Sequence, residues 1–173
     1  MLASLWLLWR GWGRRSAPRS AKTRNKRAAK SPRARSRTGT GAQNWIVVDG
    51  SNVMHWRGEP NIRPVKDVIK NLERRGFTVG VMFDANAGYK LIDRHQNDDA
   101  FSRLLGLPEE RIMVVPSGTP ADPYILTAAR DMGAQIVTND RFRDWADTYP
   151  EVRAPGFLIT GNYRNKRLHL SID

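Results

Sequence analysis

Aspartates follow the predicted buried strands of this chain, close to the point where each strand ends. They are Asp49, Asp84, Asp122 and Asp140, with Asp144 four residues further on. The carboxyl ends of the strands in an open parallel α/β sheet lie at one edge, which is where such sheets bind ligands. Clustered carboxylates repel one another and are costly to desolvate unless a cation or a proton compensates them. The pattern therefore predicts a divalent metal site, and its oxygen ligands suit Mg²⁺ or Mn²⁺.

Each of these aspartates also has an ordinary structural explanation. The run Asp49-Gly50-Ser51-Asn52 is good turn chemistry. Asp122 and Asp140 each precede a predicted helix, where an acid can serve as a cap. Asp140 and Asp144 are four residues apart at a predicted helix start, so both would face the same way. The recurrence of acids at four strand ends favours a shared functional site over four separate coincidences.

Polar residues beside these acids extend the candidate site. Ser51, Asn52 and Asn139 are candidates to support the acids or to contact substrate, because their side chains can hydrogen-bond a carboxylate or a phosphate. Arg94 lies in the charged loop 86–99. That loop would either contact backbone phosphates or be an ordinary solvated loop.

The elements that would position these residues follow from the apolar pattern. Continuous apolar runs predict buried strands at 45–48, 77–83, 111–115, 135–138 and 157–160. Helices are predicted over 63–75, 100–107, 121–132 and 141–147. The predictions follow from apolar residues spaced three and four apart and from short stretches that begin with a polar cap. Alternation over 167–172 predicts an antiparallel edge hairpin, turned at or near Gly161-Asn162. Strands that alternate with helices predict a three-layer α/β fold.

Positive charge is confined to the N-terminal part of the chain. The net charge is +12, and residues 1–44 contain twelve Lys or Arg and no Asp or Glu. Residues 45–173 contain seventeen basic and seventeen acidic residues and are therefore balanced. Segment 14–43 is rich in Ser, Ala, Gly and Pro and is predicted to be a disordered linker. It would contact a polyanion such as RNA, DNA or an anionic membrane surface, or serve only as a solvated linker.

The first thirteen residues form a separate, Trp-rich apolar segment. Its apolar run, Leu2 to Trp9, is eight residues long and as a helix would span roughly 12 Å, against ~30 Å for a hydrocarbon core. It would lie in a membrane interface, belong to a mitochondrial transit peptide over 1–40, or be a remnant of a longer anchor. The absence of cysteine excludes disulfides and fits a reducing compartment. The predicted location is cytoplasmic, peripheral to a membrane through 1–13, with mitochondria as the alternative.

Three stretches of the chain together resemble the motifs of a known nuclease family. They are Ile-Val-Val-Asp-Gly-Ser-Asn-Val at 46–53, Ala-Asp-Pro-Tyr-Ile-Leu at 121–126 and Thr-Asn-Asp-Arg-Phe-Arg-Asp at 138–144. In this order they resemble NYN-domain ribonucleases, within the PIN-like nuclease superfamily. The nearest subgroup is the Regnase-like one, the catalytic domain of CCCH-finger ribonucleases. The resemblance runs from about Trp45 to Thr160 and implies a nuclease domain over 44–173, with a central, mainly parallel sheet between two helical layers.

The resemblance also implies an activity and roles for the acids. The activity is Mg²⁺-dependent endonucleolytic cleavage of single-stranded or looped RNA. Asn52 would support the first acid, and Asp84, which lies outside the family pattern, would be an auxiliary ligand at most. One departure is Ala121, where the family often has an acid. The residues implied as catalytic and metal-binding are Asp49, Asp122, Asp140 and Asp144.

Other functions remain to be weighed against a metal-dependent endoribonuclease. The main alternative is a non-catalytic nucleic-acid-binding protein with a degenerate nuclease domain and a basic tail, which Ala121 favours and the retained acids disfavour. An aspartyl phosphatase normally has a second Asp two residues after the first, where this chain has Ser51. A dinucleotide-binding protein would need a Gly-x-Gly-x-x-Gly run after its first strand, and none is present.

Overall fold

The computed structural model describes residues 44–172, so the apolar segment 1–13 and the linker 14–43 lie outside the described residues. The described residues form a five-stranded sheet, a separate two-stranded sheet and flanking helices. The strands are β1 (Trp45–Asp49), β2 (Thr78–Phe83), β3 (Ile112–Val114), β4 (Gln135–Val137), β5 (Leu158–Ile159), β6 (Gly161–Arg164) and β7 (Arg167–Leu170). The α-helices are α1 (Gly50–Val53), α2 (Ile62–Arg74), α3 (Ala87–Ile92), α4 (Asp98–Leu105) and α5 (Asp122–Met132).

The main sheet is parallel throughout, and its strand order is β3-β2-β1-β4-β5. The chain builds outward from β1 through β2 to β3 and then returns to the other side of β1 to add β4 and β5. The winding direction therefore reverses between β1 and β4. In open α/β sheets this switch point opens a crevice at the carboxyl ends of the strands, and here Asp49 and the residues after β4 lie at that crevice.

Helices cover both faces of the main sheet, as the predicted three-layer fold requires. The larger apolar cluster joins α2 to one face of the sheet, through residues such as Val68, Leu72 and Val48. Val47 alternates with Val48 along β1, is equally buried and does not belong to that cluster. Because successive strand residues point to opposite faces, Val47 faces the other layer, where α5 contacts β1. The predicted fold class is confirmed.

Helices α2, α4 and α5 begin and end within two residues of their predicted limits, and asparagine caps start two of them earlier than predicted. Asn61 Oδ1 accepts a hydrogen bond from Arg63 N at 2.8 Å at the start of α2. Asn97 Oδ1 accepts one from Ala100 N at 3.0 Å, so α4 begins at Asp98, two residues before its predicted start. Asn is a favoured N-cap because it satisfies a backbone N–H that the helix leaves unpaired.

The late part of the chain departs from the prediction in its details. An antiparallel hairpin is present, but it pairs β6 with β7 in a sheet of its own, and β5 joins the main sheet parallel to β4. The turn, expected at or near Gly161-Asn162, does not lie at those two residues, which belong to β6. The turn is at Asn165 and Lys166, which both have positive φ, 49° and 62°, as a tight turn between twisted strands requires.

Gly161 is needed for close packing instead of for a turn. A Cβ at this position would collide with the indole ring of Trp56 and lie 2.7 Å from Cδ2 of Leu170. The apolar residues Leu168, Leu170 and Ile172 pack against the larger apolar cluster, which confirms the alternation predicted for this strand. None of the helices within residues 44–172 has the length and apolar character needed to cross a membrane.

Candidate active site

Asp49 is the most deeply placed acid of the site. It ends β1, is 7% exposed, and both of its carboxylate oxygens accept hydrogen bonds. Oδ1 accepts from Asn52 N at 3.0 Å, which caps helix α1. Oδ2 accepts from Thr138 Oγ1 at 2.9 Å. The carboxylate is therefore fixed in orientation by one group on its own turn and one on the neighbouring strand.

Thr138 connects the two sides of the switch point. It is fully buried at the end of β4, and besides donating to Asp49 it accepts a hydrogen bond from Asp140 N at 3.0 Å. One hydroxyl thus sets the positions of two acids that are 91 residues apart in the chain. Sequence reasoning did not single out Thr138, although a hydroxyl at the end of an apolar strand, directly before Asn139-Asp140, was a usable signal.

Asn52 and Asn139 support the site through hydrogen bonds of their side chains. Asn52 Oδ1 accepts from Trp56 Nε1 at 2.8 Å and from Asn139 N at 2.9 Å. The Asn139 side chain pairs with Gly161, donating to its carbonyl oxygen at 2.9 Å and accepting from its N–H at 3.0 Å. The two asparagines therefore hold the first and third sequence motifs together and attach them to the C-terminal hairpin.

Ser51 and Gly50 attach the first motif to the end of β2. Ser51 Oγ accepts a hydrogen bond from Asp84 N at 2.8 Å, so the serine positions the backbone that carries Asp84. Gly50 begins α1, and a Cβ there would collide with the ring of Phe83, with Cζ at 2.7 Å. The glycine is thus required by the close approach of an aromatic ring, not by the tight turn that the sequence predicted.

Asp140 and Asp144 do not lie on the α-helix predicted over 141–147. That prediction is wrong, because Phe142 has φ 47° and ψ 41°, a left-handed conformation that breaks the helix. The Phe142 side chain is 2% exposed, so burial of a large ring offsets a backbone conformation that costs on the order of 1–3 kcal/mol. Asp140 Oδ1 accepts from Phe142 N at 2.8 Å, and Asp144 lies in a short 3₁₀ turn over Arg143–Trp145.

Asp122 is the first residue of α5 and has a partner that the sequence did not indicate. Its Oδ2 accepts a hydrogen bond from Trp145 Nε1 at 3.1 Å. The adjacent Ala121 is buried, so a second acid at that position would have faced desolvation. Trp145 directly follows Asp144, and this contact therefore connects the second motif to the third.

The charges of the five aspartates act on one another. Burial raises the pKa of Asp49 to about 7, its two hydrogen bonds oppose the rise, and the charges of Asp84 and Asp122 add to it. Burial also raises the pKa of Asp122, with the Trp145 hydrogen bond opposing and the charges of Asp140, Asp84 and Asp144 adding. The strongest charge effects on these two pKa values come from other aspartates. The five acids thus share one region of negative charge, and Asp84 acts on both Asp49 and Asp122.

This raised pKa predicts how stability depends on pH. Without metal, we expect the free energy of unfolding to fall as the pH rises from about 4 to about 7. The folded chain keeps the Asp49 proton until pH about 7, whereas an ordinary Asp releases it near 3.8. The stabilisation is therefore complete below the lower value and lost by the higher one, with a slope of at most about 1.4 kcal/mol per pH unit.

Urea denaturation of the parent and of an Asp49→Asn variant in chelator, across this pH range, measures the effect. The difference between the two curves isolates Asp49 from the other titrating groups. Curves that stay parallel from pH 4 to pH 7 would contradict the raised pKa.

The donor set fits a hard divalent cation, although its arrangement is open. Asp49, Asp84, Asp122, Asp140 and Asp144 offer oxygen atoms alone, which Mg²⁺ and Mn²⁺ prefer. A bound cation would relieve the repulsion among these carboxylates and would offset the cost of burying the charge of Asp49. No three Asp, Glu or His side chains within residues 44–172 are close enough to form a ready metal site as they stand. Because Asp140 and Asp144 are exposed, core packing does not oppose rotation of their side chains toward Asp49.

Two cavities are lined by residues that lie close to these acids in the chain. One, of about 300 Å³, is lined by Arg141, Arg143 and Arg153, of which the first two stand between Asp140 and Asp144 in the chain. The second, of about 460 Å³, begins at Ala85 and Asn86, directly after Asp84. Arg94, whose loop was expected either to contact phosphates or to be an ordinary solvated loop, is exposed and lines neither cavity.

Comparisons with known proteins agree with the motifs. Residues 42–155, well over half of the chain, match the Zc3h12a-like ribonuclease NYN domain. A search of curated proteins gave no match. The fold is similar to that of nuclear proteinaceous RNase P 2 (PRORP2) from A. thaliana, with 20% identity, a TM-score of 0.55, and coverage of 77% of this chain and 30% of that one.

A second structure of PRORP2, described as a nuclear protein-only RNase P from Arabidopsis thaliana, has 19% identity and a TM-score of 0.55. It covers 73% of this chain and 29% of that chain. At these identities the similarity establishes the fold. The chain spans about 30% of the length of the proteins whose structures it matches.

Proposed function

We propose that this chain, which belongs to the family of Zc3h12a-like ribonuclease NYN domains, is an endoribonuclease that depends on a divalent metal ion, Mg²⁺ or Mn²⁺. The observation that carries the proposal is Asp49, a buried carboxylate at the switch point of the sheet, whose pKa is raised to about 7 by burial and by the neighbouring charges of Asp84 and Asp122. A buried, hydrogen-bonded acid amid other acids is costly in a purely structural role. Such perturbed groups in a crevice are typical of functional sites.

The residues that would hold the metal are Asp49, Asp122, Asp140 and Asp144. Asp84 follows β2, on the other side of β1 from Asp140, and would be a fifth oxygen donor. It would compensate for the acid that the family often has where this chain has Ala121. A bound Mg²⁺ or Mn²⁺ would supply positive charge for the scissile phosphate and acidity for a water molecule. Nucleases of this fold generally depend on such an ion, which agrees with the donor set.

The chain's own residues would orient the reactants and move the proton. Hydrolysis forms a bond from the oxygen of water to phosphorus and breaks the bond from phosphorus to the leaving ribose oxygen, which then takes up a proton. Asp140 and Asp144 are exposed, and one of them would orient the water and accept the proton that it releases. Thr138 and the turn of α1 keep Asp49 in one orientation, so the site needs little reorganisation during the reaction.

Positive side chains next to the acids would bind the RNA backbone. Arg141 and Arg143 are exposed and flank Phe142 between the two acids of the third motif. Their cavity also contains Arg153, which is held by Asp147 at 3.1 Å. Guanidinium groups bind phosphate oxygens through paired hydrogen bonds. Phosphates on one side of the scissile bond would therefore lie over this arginine cavity.

The experiment that tests the proposal is cleavage of a labelled, structured RNA by the purified full chain. We expect cutting with Mg²⁺ or Mn²⁺, none with chelator, and a loss of at least about 100-fold in the Asp140→Asn variant, since even groups that only orient metal ligands contribute 10–100-fold. Asp131→Asn is the matched control, because Asp131 is an exposed acid at the other end of α5. It should cut like the parent.

Two results would contradict the proposal. Cleavage that continues in chelator would show that the reaction does not need a metal ion. Cleavage by Asp140→Asn equal to that of the parent would show that the active site lies elsewhere. RNA binding without cleavage in every metal condition would assign the chain to the alternative class, a non-catalytic nucleic-acid-binding protein.

A further inference from the structure

We infer that the cavity beside Asp84 is a nucleobase pocket, in which Tyr89 stacks on an unpaired base of the RNA strand next to the scissile phosphate. This inference rests on the proposed function, because it assigns a specificity-determining residue to the same site. The cavity has a volume of about 460 Å³ and is lined by residues of the loop after β2, of α3, of the start of α4 and of the segment after β3.

The first argument is the place of the cavity in the sheet. Ala85 and Asn86 line it and follow Asp84 at the carboxyl end of β2, and Val115 lines it at the end of β3. Because β2 adjoins β1 and neighbouring strands are ~4.8 Å apart, the cavity lies roughly one to two strand spacings from Asp49. It opens at the same edge of the sheet as the acids, on the side of Asp49 opposite the arginine cavity.

The second argument is the exposed aromatic ring in this cavity. Tyr89 is 54% exposed. Among the described residues, Ile92, at 47%, is the other large apolar side chain that is exposed. The His95 ring also lines the cavity, with its centroid 6.4 Å from that of Tyr89. Unpaired bases stack on Tyr and His rings, whereas phosphates do not.

The third argument is the polar lining. Asn86, Asn97 and Ser117 line the cavity and offer the amide and hydroxyl groups that pair with the edges of bases. No Lys or Arg from residues 44–172 lines it. Asp98, the acid in the lining, accepts a hydrogen bond from Val114 N at 2.7 Å and so fixes the wall formed by β3. This chemistry fits a base, while the arginine cavity fits phosphates.

The walls of the cavity are held in place by close backbone packing. Gly88 lies in α3, and a Cβ there would be 2.6 Å from Gln96 N and 2.7 Å from Arg94 O. The absence of a side chain therefore lets the 94–96 loop lie directly on the helix that carries Tyr89. This contact keeps His95 beside Tyr89, so the pocket is formed before RNA binds.

The test measures binding of a fluorescein-labelled, eight-nucleotide single-stranded RNA to the full chain, in chelator and at raised salt to suppress the basic linker. We expect Tyr89→Ala to weaken binding about fivefold or more, and Tyr89→Phe to change it less than about twofold, because the ring is retained. Ile92→Ala is the matched control, since Ile92 is similarly exposed on the same helix but does not line the cavity. It should bind like the parent.

An abasic scan of the same oligonucleotide identifies the base. In the parent, loss of one particular base should weaken binding at least as much as Tyr89→Ala does, and in Tyr89→Ala that loss should cost less than in the parent, because the stacking contact is already gone. With Mg²⁺, the sensitive position should lie next to the cleaved bond. Binding by Tyr89→Ala equal to that of the parent, or equal sensitivity at every position in both proteins, would overturn the inference.

Failure of this inference is distinguishable from failure of the proposed function. If RNA binding depends on Tyr89 but no metal supports cleavage, the proposed nuclease activity is rejected and the base pocket is retained. If Tyr89→Ala cleaves with the kcat/KM of the parent and the abasic scan is flat, the nuclease activity is retained and the base pocket is rejected. Melting temperatures of the variants should match that of the parent, because Tyr89 is exposed.

Discussion

Replacement of Asp49 by Asn is expected to lower metal-dependent RNA cleavage by at least about 100-fold while it raises the melting temperature in chelator. Asn keeps the shape of Asp and can accept from Asn52 N, but it has no charge with which to bind a cation. In the folded chain the carboxylate is buried and its pKa is raised to about 7. At pH 8 its ionisation therefore opposes folding by an amount on the order of a few kcal/mol, which the amide does not impose.

The two effects have opposite signs, and this separates Asp49 from a merely structural acid. A structural acid would lose stability when neutralised and would lose activity only through unfolding. The measurement is a single-turnover cleavage rate with Mg²⁺ beside a thermal melt in chelator, for the parent, Asp49→Asn and the control Asp131→Asn. A variant that melts earlier than the parent and still cuts RNA would refute the assignment.

Substitution of Gly50 by Ala is expected to destabilise the domain by about 1–3 kcal/mol or more. The added Cβ would collide with the ring of Phe83, which is fully buried and stacked on Phe101 with ring centroids 4.0 Å apart. Because the Phe83 ring is fully buried and stacked on Phe101, it cannot easily move away. The strain would therefore be transmitted to the turn that carries Asp49. Urea denaturation at fixed pH measures the loss.

A double variant tests the cause of this loss. Phe83→Leu removes the two ring atoms nearest to the added methyl group, Cε1 and Cζ. Gly50→Ala combined with Phe83→Leu should therefore be destabilised by less than the sum of the single changes. Strict additivity would mean that the ring is not what Gly50 accommodates.

The sequence predicted the parts of this molecule in which local pattern and burial agree. The apolar run at 45–48 indicated a buried strand, and the spacing of Val65, Val68, Ile69 and Leu72 indicated α2 within one residue at each end. The motifs around Asp49 and Asp140 led to the NYN ribonuclease family, and the match over 42–155 confirms that resemblance.

The parts that could not be predicted depend on contacts between distant segments. Phe142 adopts a left-handed conformation because its ring is buried, and local propensity disfavours that conformation for a bulky residue. The Asp49–Thr138 hydrogen bond follows from β4 lying beside β1, a strand order that no local pattern encodes. Asp84 was ranked below the other acids because it lies outside the family pattern, and only the pairing of β2 with β1 brings its charge to Asp49.

The attachment of Asn139 to Gly161 has a consequence for where the catalytic unit ends. The family match stops at residue 155, yet Gly161 holds the side chain of Asn139 through both of its backbone polar groups and lies against Trp56, which in turn donates to Asn52. A fragment that ended at residue 155 would keep all five aspartates of the cluster but lose the hydrogen bonds between Asn139 and Gly161. The last hairpin, though it contributes no acid to the cluster, is therefore part of the smallest piece of the chain expected to keep the first and third motifs in register.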